Sequence, residues 1–527
     1  MITTGRGQVS GFQFAVCSPH NLTSAVAARI LEGGGNAVDA AIAANAVQGT
    51  VAPETCGIGG DLFALVWEPG APSPVALNAS GWAGSGVSAS DLRDQGLESI
   101  PDDHPASVSI PGAVAGWFEL AERFGSREIS DLLAPAMAYA ADGFPASSEF
   151  SRATAARFGQ LAGQESCASF YPQGSPVDVG TRIRRPLLHH TLERIASVGR
   201  DGFYDGPVAR DVSEATEGLI TVEDLASFRP DWVEPVQTST LGHTGWTIGP
   251  NSQGYVTLAA LRVFEMTGGP FDPEDPSSHH RLIESYRAVA AERDDVVTDP
   301  TTAPIPAAEL LADDRLGVIA RSIGDRAGAF TPPSPRPAGT AYLTVADGSG
   351  LAISLIQSNF HGLGSNIGAR SSGFILHNRG AGATLLPGHP NELMPGRRPL
   401  HTLSPTIWSK EGKVTAALGT RGGHQQPQLL AQVAAHLLAS HDQPWEAQAR
   451  PRWSMRDFSA SSRSIVRTES GFDDRIIEGL RARGHAIELI NGPTGGWGPV
   501  SIITVGGDGL LVAAADPRVG TAQAVAR

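Results

Sequence analysis

The residues with the most pointed chemical potential are Gly339-Thr340. Just upstream, Thr331-Pro332-Pro333-Ser334-Pro335-Arg336-Pro337 places four prolines in seven positions, a run that joins neither a helix nor an inner strand. Downstream, Ala341 to Ala346 is a short apolar run, Asp347-Gly348-Ser349-Gly350 is turn chemistry, and Leu351 to Gln357 is a second strand, so the stretch predicts a β-hairpin. A threonine at the joint between an exposed tether and a buried strand has little structural purpose. Cut free on its N-terminal side, Thr340 would carry a hydroxyl and an α-amine on one residue, and the amine can act as base for its own nucleophile.

A second concentration of reactive types is Arg397-Arg398-Pro399-Leu400-His401-Thr402-Leu403-Ser404-Pro405-Thr406, which offers hydroxyls, an imidazole and two guanidiniums suited to a carboxylate. Gly419-Thr420-Arg421-Gly422-Gly423-His424 then precedes a helix. Two glycine amides at such a turn can face a developing oxyanion, and an ordinary strand-to-helix turn has the same pattern. Other chemistries find less support. No GxSxG occurs, which removes the nucleophile-elbow hydrolases. His189-His190 and His279-His280 lack the i, i+4 spacing that aims two imidazoles at one metal, and His377, His389 and His401 are widely separated, so structural histidines are expected. Cys56-Gly57-Ile58-Gly59-Gly60-Asp61 invites a phosphate-loop reading. However, the order is helix, glycines, strand, without a P-loop lysine, and a tight turn bringing backbone against backbone is the better reading.

The elements that must position these residues are mixed. Helices are predicted over Thr23 to Leu31, Ala37 to Val47 (capped by Asn36), Ala113 to Phe124, Ser130 to Asp142, Leu187 to Val198, Val256 to Met266 and Gln428 to Leu438. A longer helix over His280 to Val296 alternates acids and arginines (Glu284, Arg287, Glu292, Arg293, Asp294), which reads as a solvated or intersubunit face. Strands are predicted over Leu62 to Trp67, Ser107 to Ile110, Trp246 to Pro250, Ser464 to Thr468, Ile487 to Leu489 and Val500 to Val505, and the β-rich part after residue 340 need not be parallel. The 527 residues, 41% apolar and 18% charged, suit a large globular body. A net charge of −15 argues against nucleic acid or an anionic membrane as partner. Three cysteines, Cys17, Cys56 and Cys167, make no disulfide framework. Met1 to Phe14 has no apolar signal core and no run spans a bilayer, so a cytoplasmic enzyme is expected.

Taken together, the blocks resemble the γ-glutamyltranspeptidase family of N-terminal-nucleophile hydrolases over nearly the whole chain. Gly34 to Ala41 and Gly57 to Gly60 resemble its N-terminal signature, and Ser107 to Trp117 and Asn251 to Gly254 resemble further segments. Gly339-Thr340 with Thr344-Val345 and Asp347 resembles the self-processing junction. Pro399-Leu400, Leu403 to Thr406 and Gly422-Gly423 resemble the substrate and oxyanion segments. The resemblance implies an α+β fold, a four-layer αββα sandwich made as one precursor. It would be cut between Gly339 and Thr340 into a large subunit (1–339, ending in the Pro-rich linker 331–339) and a small one (340–527). Thr340 would be the nucleophile of both processing and catalysis, Ser358 a supporting hydroxyl, Asn359 an accessory, and Gly422 and Gly423 the oxyanion amides. His401 and Thr402 stand where the family has adjacent serines and, with Asn359, would contact the substrate. No cofactor or metal is implied. The partners would be a small-molecule substrate and the two subunits, with a dimer of these heterodimers as a further option.

The departures bear on substrate. The family's glutamyl-binding arginine would lie within Asn78-Ala79-Ser80-Gly81-Trp82, and its acidic pair near Ala381-Gly382; neither is present. Each lost charge-assisted contact is worth about 1.5–3 kcal/mol, together roughly two to four decades of binding. Glutathione is therefore not the expected substrate. The stretch Ser354 to Phe360 with Gly362 and Gly364-Ser365 is similar to the oxamate amidohydrolase branch, whose acyl group is small and carries its own carboxylate, for which Arg379, Arg397 and Arg398 are candidate holders. Alternatives are a C–C hydrolase releasing an oxalyl group in alkylproline-type antibiotic biosynthesis, a true γ-glutamyl hydrolase or transpeptidase, and an uncut homologue acting as a scaffold.

Overall fold

The structure, a computed structural model, describes residues 7–328, 339–455 and 465–527. The proline run expected as a tether, 331–337, lies outside them. The predicted hairpin forms and is longer than its apolar core suggests, with strands Gly339–Asp347 and Ala352–Phe360. Its turn is fixed as the Asp-Gly-Ser-Gly chemistry requires: Ser349 N–H donates to Asp347 Oδ1 at 2.9 Å and Gly350 takes φ 94°. Every residue from Thr340 to Ala346 and from Ala352 to Phe360 is buried. Leu343, Val345, Ile353 and Leu355 pack into one core, and Tyr342, Ala346, Ala352 and Ile356 into another. Both faces of the hairpin are covered, which is why its alternation is weak in sequence.

Those two cores are the inner seams of a four-layer αββα sandwich. The hairpin lies at the centre of an antiparallel seven-stranded sheet ordered Gln523–Ala526, Phe14–Ser18, Gly339–Asp347, Ala352–Phe360, Asp61–Trp67, Val75–Ala79, Asp231–Val233. A second antiparallel sheet is ordered Gln8–Gly11, Leu511–Ala515, Val500–Val505, Lys413–Thr420, Thr406–Lys410, His243–Thr247, Val236–Thr240. Tyr342, Phe63, Trp246 and Ile407 fill the space between the sheets. Asn21–Glu32, Ala37–Val51 and Ala113–Phe124 cover the outer face of the first, while Tyr255–Met266 and Gln426–Ala434 cover that of the second. The alanine-rich helix Ala37–Val51 is buried along its whole length. Asn36 and Asp39 close a capping box at its start, and Ala37 N–H donates to Asp347 Oδ2 at 2.9 Å, tying the helix to the hairpin turn.

Two expectations need correction. Val108 to Ile110 joins no sheet; Pro105–Ser107 is a 3-10 turn, and the backbone beyond it is held by single bonds, Ile110 N–H to Trp82 O and Gly112 N–H to Gly60 O. The helix expected over 280–296 is two, Pro276–Ala290 and Arg293–Val296. Its charges divide: Asp294 is half exposed, while Glu284 and Arg287 are 1% and 2% exposed and pair at 2.6 Å. The segment at Gly328 covers them, its N–H donating to Glu284 Oε2 and its carbonyl accepting from Arg287, both at 2.8 Å. None of the described helices is long and apolar enough to cross a membrane.

Candidate active site

Three neighbouring strands place Thr340, Ser358 and Asp61 in one row. Thr340 pairs with Ser358 and Ser358 with Asp61, and all three share the inter-sheet face by alternation with Tyr342, Ile356 and Phe63. Ser358 Oγ lies 2.6 Å from Gly339 O, 3.1 Å from Thr340 Oγ1 and 2.8 Å from the Phe360 N–H. A serine has one hydroxyl proton. Gly339 O and the Phe360 amide fix its use: Ser358 donates to the Gly339 carbonyl and accepts from Phe360, which leaves Thr340 O–H as donor to Ser358. The pairing is irregular between Gly339 and Thr340, and Phe360 takes φ 69°, a costly conformation for a bulky residue. Gly339 itself has no room for a side chain, since a Cβ would meet the Glu54 carbonyl oxygen and lie 2.6 Å from that of Gly362. The loop 57–60 is the backbone-to-backbone turn expected: a Cβ on Gly60 would lie 2.5 Å from Ser358 O.

Beneath this row sits a buried charge cluster. Asp61 Oδ2 lies 3.1 Å from His401 Nε2 and 3.5 Å from His377 Nδ1, and all three side chains are buried. Burial alone would raise the Asp61 carboxyl, yet His377, His401 and Arg379 outweigh it and hold it below the usual range. His401 is pushed down to about 3 by burial and by Arg379, so it is neutral at pH 7. Arg379, 1% exposed, lies with its guanidinium carbon 3.5 Å from the Phe360 ring centroid and donates to Thr402 Oγ1 at 3.3 Å. The other predicted arginines are engaged elsewhere. Arg397 donates to Glu392 O at 3.1 Å, and Arg398 donates to Ser80 O at 2.9 Å and pairs with Asp231 at 2.7 Å. Asn359 turns its amide to Pro53 O at 3.2 Å.

The glycine turn takes a form only glycine adopts readily, with φ 130° at Gly422 and 55° at Gly423, entering a 3-10 turn and then the helix Gln426–Ala434. Gln253 holds it in place, its amide donating to Gly423 O at 2.9 Å and to Thr402 O at 3.0 Å. Beside Phe360 and His424 opens a cavity of about 380 Å³, with Gly382, Arg293 and Asp294 also in its wall. The chain thus brings a hydroxyl pair, the Gly339 carbonyl and a glycine turn to one end of the sandwich. The family model described as gamma-glutamyltranspeptidase matches residues 23–526. The chain belongs to the γ-glutamyltranspeptidase family.

Two relatives align with it over nearly the full length of both chains. It is 33% identical to the glutathione hydrolase-like YwrD proenzyme of Bacillus subtilis, over 97% of this chain and 98% of that one. It is also 33% identical to the oxamate amidohydrolase proenzyme of Klebsiella pneumoniae, over 96% and 97%. The crystal structure of cephalosporin acylase from Bacillus halodurans superposes with a TM-score of 0.91 at 31% identity, covering 99% of this chain and 97% of that one. Like these, the chain is an enzyme of a hydrolase family.

The two segments that the resemblance singled out as departures hold neutral groups. In 78–82, Ser80 Oγ donates to Asn78 Oδ1 at 2.6 Å and Asn78 Nδ2 to Asn251 Oδ1 at 2.9 Å. Ala381 and Gly382 line the cavity. Asp61, His377, Gln253, Phe360 and Arg293 were not singled out by sequence as site residues. Three of them carried some signal: Asp61 by its place directly after the glycine turn, and Gln253 and Phe360 by lying inside stretches that resemble the family. One buried group of metal-ligand type, His280, Glu284 and His485, is drawn together by tertiary packing. Its geometry is that of a hydrogen-bonded pair, His280 Nδ1 to His485 Nε2 at 2.8 Å, with Arg287 on the carboxylate.

Proposed function

We propose that the chain is a precursor that breaks its own Gly339–Thr340 bond, and that Thr340 then hydrolyses amides of small acyl groups bearing a carboxylate, glutathione not being the substrate. The observation that carries this reading is the Ser358 hydroxyl, donated to the Gly339 carbonyl while it accepts from Thr340. In the uncut chain Thr340 is fully buried, so the carbonyl within its reach is that of its own neighbour. Attack of Oγ1 on the Gly339 carbonyl carbon forms a C–O bond, with Ser358 stabilising the oxyanion. Collapse breaks the C–N bond, the threonine proton passing to the new amine, and water hydrolyses the resulting ester. The freed α-amine then accepts the Oγ1 proton for attack on substrate, and the Gly422 and Gly423 amides face the oxyanion of the tetrahedral intermediate. Release of the amine leaves an acyl-enzyme that water clears.

The substrate class is supported by the neutral network at Ser80 and the absent acids at Ala381-Gly382, which leave a γ-glutamyl headgroup without its usual partners. The names of two relatives, an oxamate amidohydrolase and a cephalosporin acylase, point the same way. Intact mass of purified wild type and Thr340→Ala tests the reading. Two fragments, 1–339 and 340–527, are expected from the wild type and one uncut chain from the variant. An uncut wild type without activity would overturn it.

A further inference from the structure

We propose that Arg293, which no sequence motif marks, is the residue that receives the substrate's carboxylate and so sets the acyl specificity. The assignment rests on the acyl-hydrolase reading above and names the group that reading lacks. The cavity beside Phe360 and His424 adjoins both the Ser358 strand end and the Gly423 turn. Among its lining residues Arg293 is the single arginine, and there is no lysine. The arginines that sequence suggested stand outside its wall and are committed to protein partners: Arg379 to Thr402 and the Phe360 ring, Arg397 to Glu392 O, Arg398 to Ser80 O and Asp231.

Arg293 is 4% exposed, and its bonds divide in two. Nη1 donates to Gln253 Oε1 at 3.2 Å, and Gln253 in turn holds the carbonyls of Thr402 and Gly423. The other edge, Nε and Nη2, donates to Asp294 Oδ1 at 2.9 and 2.6 Å. The buried guanidinium therefore uses as counterion an aspartate whose side chain is 51% exposed. Asp294 can turn into water when an incoming carboxylate replaces it, so that the buried guanidinium keeps a counterion. A carboxylate entering the cavity takes its place on a planar two-donor edge that matches it. Because the opposite edge is tied through Gln253 to the oxyanion turn, seating the carboxylate also fixes where the acyl carbon lies relative to that turn. Glu98, the other acid in the wall, and Asp294 itself disfavour a dianion, so the fitting substrate carries one free carboxylate: a monoamide of a short dicarboxylic acid.

The test uses the processed wild type, Arg293→Gln, Arg293→Lys and Asp294→Asn. Each is assayed with glutaryl-p-nitroanilide and with the uncharged butyryl-p-nitroanilide. Arg293→Gln is expected to lower the glutaryl-to-butyryl ratio of kcat/KM by about 10- to 100-fold, chiefly through KM, with Arg293→Lys intermediate. Asp294→Asn, which removes the competing carboxylate, is expected to lower KM for the glutaryl substrate. Calorimetric binding of glutarate monoanion analogues such as monomethyl glutarate needs no turnover, and tightening in Asp294→Asn with loss in Arg293→Gln would support the assignment even if neither anilide is hydrolysed. In that case the hydrolase reading fails and the carboxylate site stands. An unchanged ratio in Arg293→Gln, or equal binding of the carboxylate by all four proteins, overturns the proposal.

Discussion

Ser358 has one proton and two claims on it, and that count decides its role. On the proposed reading, in the uncut chain it polarises the Gly339–Thr340 bond while accepting from the Thr340 hydroxyl. Removal of one oxyanion donor typically costs about 100- to 1,000-fold in rate. Ser358→Ala is therefore expected to slow appearance of the 340–527 fragment by about 100-fold, followed on a denaturing gel after purification of the uncut form, with folding unaffected by circular dichroism. A rate within threefold of wild type would remove Ser358 from the processing step. The hydroxyl was visible in sequence only through family resemblance. Its bond to Gly339 O depends on a backbone irregularity between Gly339 and Thr340 that no residue pattern announces.

At the scale of elements, the hairpin and most helices were legible because their signals are local: an Asp-Gly-Ser-Gly turn, an Asn36 cap, a glycine stop. The charge cluster was not, since Asp61, His377, Arg379 and His401 come from three distant segments and acquire meaning only when the sheets stack. Glu284 and Arg287 were misread for a related reason. Alternating charges on a helix look the same whether water or the segment at Gly328 covers them. The loop carrying Glu54 shows what such covering does to chemistry. Its backbone packs on Gly339, its Oε2 has no hydrogen-bond partner among the described residues, and burial pushes its carboxyl from 4.5 up to about 8. The folded chain thus binds a proton there that the unfolded chain has released, so stability is fully present below about pH 4.5 and is lost as pH rises toward 8. At about 1.4 kcal/mol per pH unit, the loss is of the order of a few kcal/mol. In the uncut Thr340→Ala background, Glu54→Gln is expected to match its parent in urea denaturation at pH 5 and to exceed it at pH 8.5. Parallel curves at both pH values would show that Glu54 does not titrate in this window.

For the whole molecule, the position of the scissile bond has a mechanical corollary. Gly339–Asp347 is an inner strand flanked by Phe14–Ser18 and Ala352–Phe360, while the latter pairs with Asp61–Trp67, so segments from both sides of residue 339 interleave in one sheet. Gln8–Gly11 likewise closes the second sheet against Leu511–Ala515. Cleavage would cut one covalent bond and none of these ladders. The two fragments are expected to elute together in gel filtration at the size of the intact chain and to part only in denaturant. Separate elution without denaturant would contradict the interleaving.

The row Thr340, Ser358, Asp61 runs across three strands whose register is locked from both faces, and a slip by one residue would turn every one of them away. Apart from Phe360 at its strand end, much of the cavity wall is made differently, from segments at Glu98, Arg293 and 381–391 that lie outside either large sheet. On the proposed reading, bond-breaking and choice of substrate then rest on separate parts of the fold. Lineages sharing this frame are free to exchange one acyl preference for another by drift in those segments, and a library confined to them should yield new specificities while every member still matures.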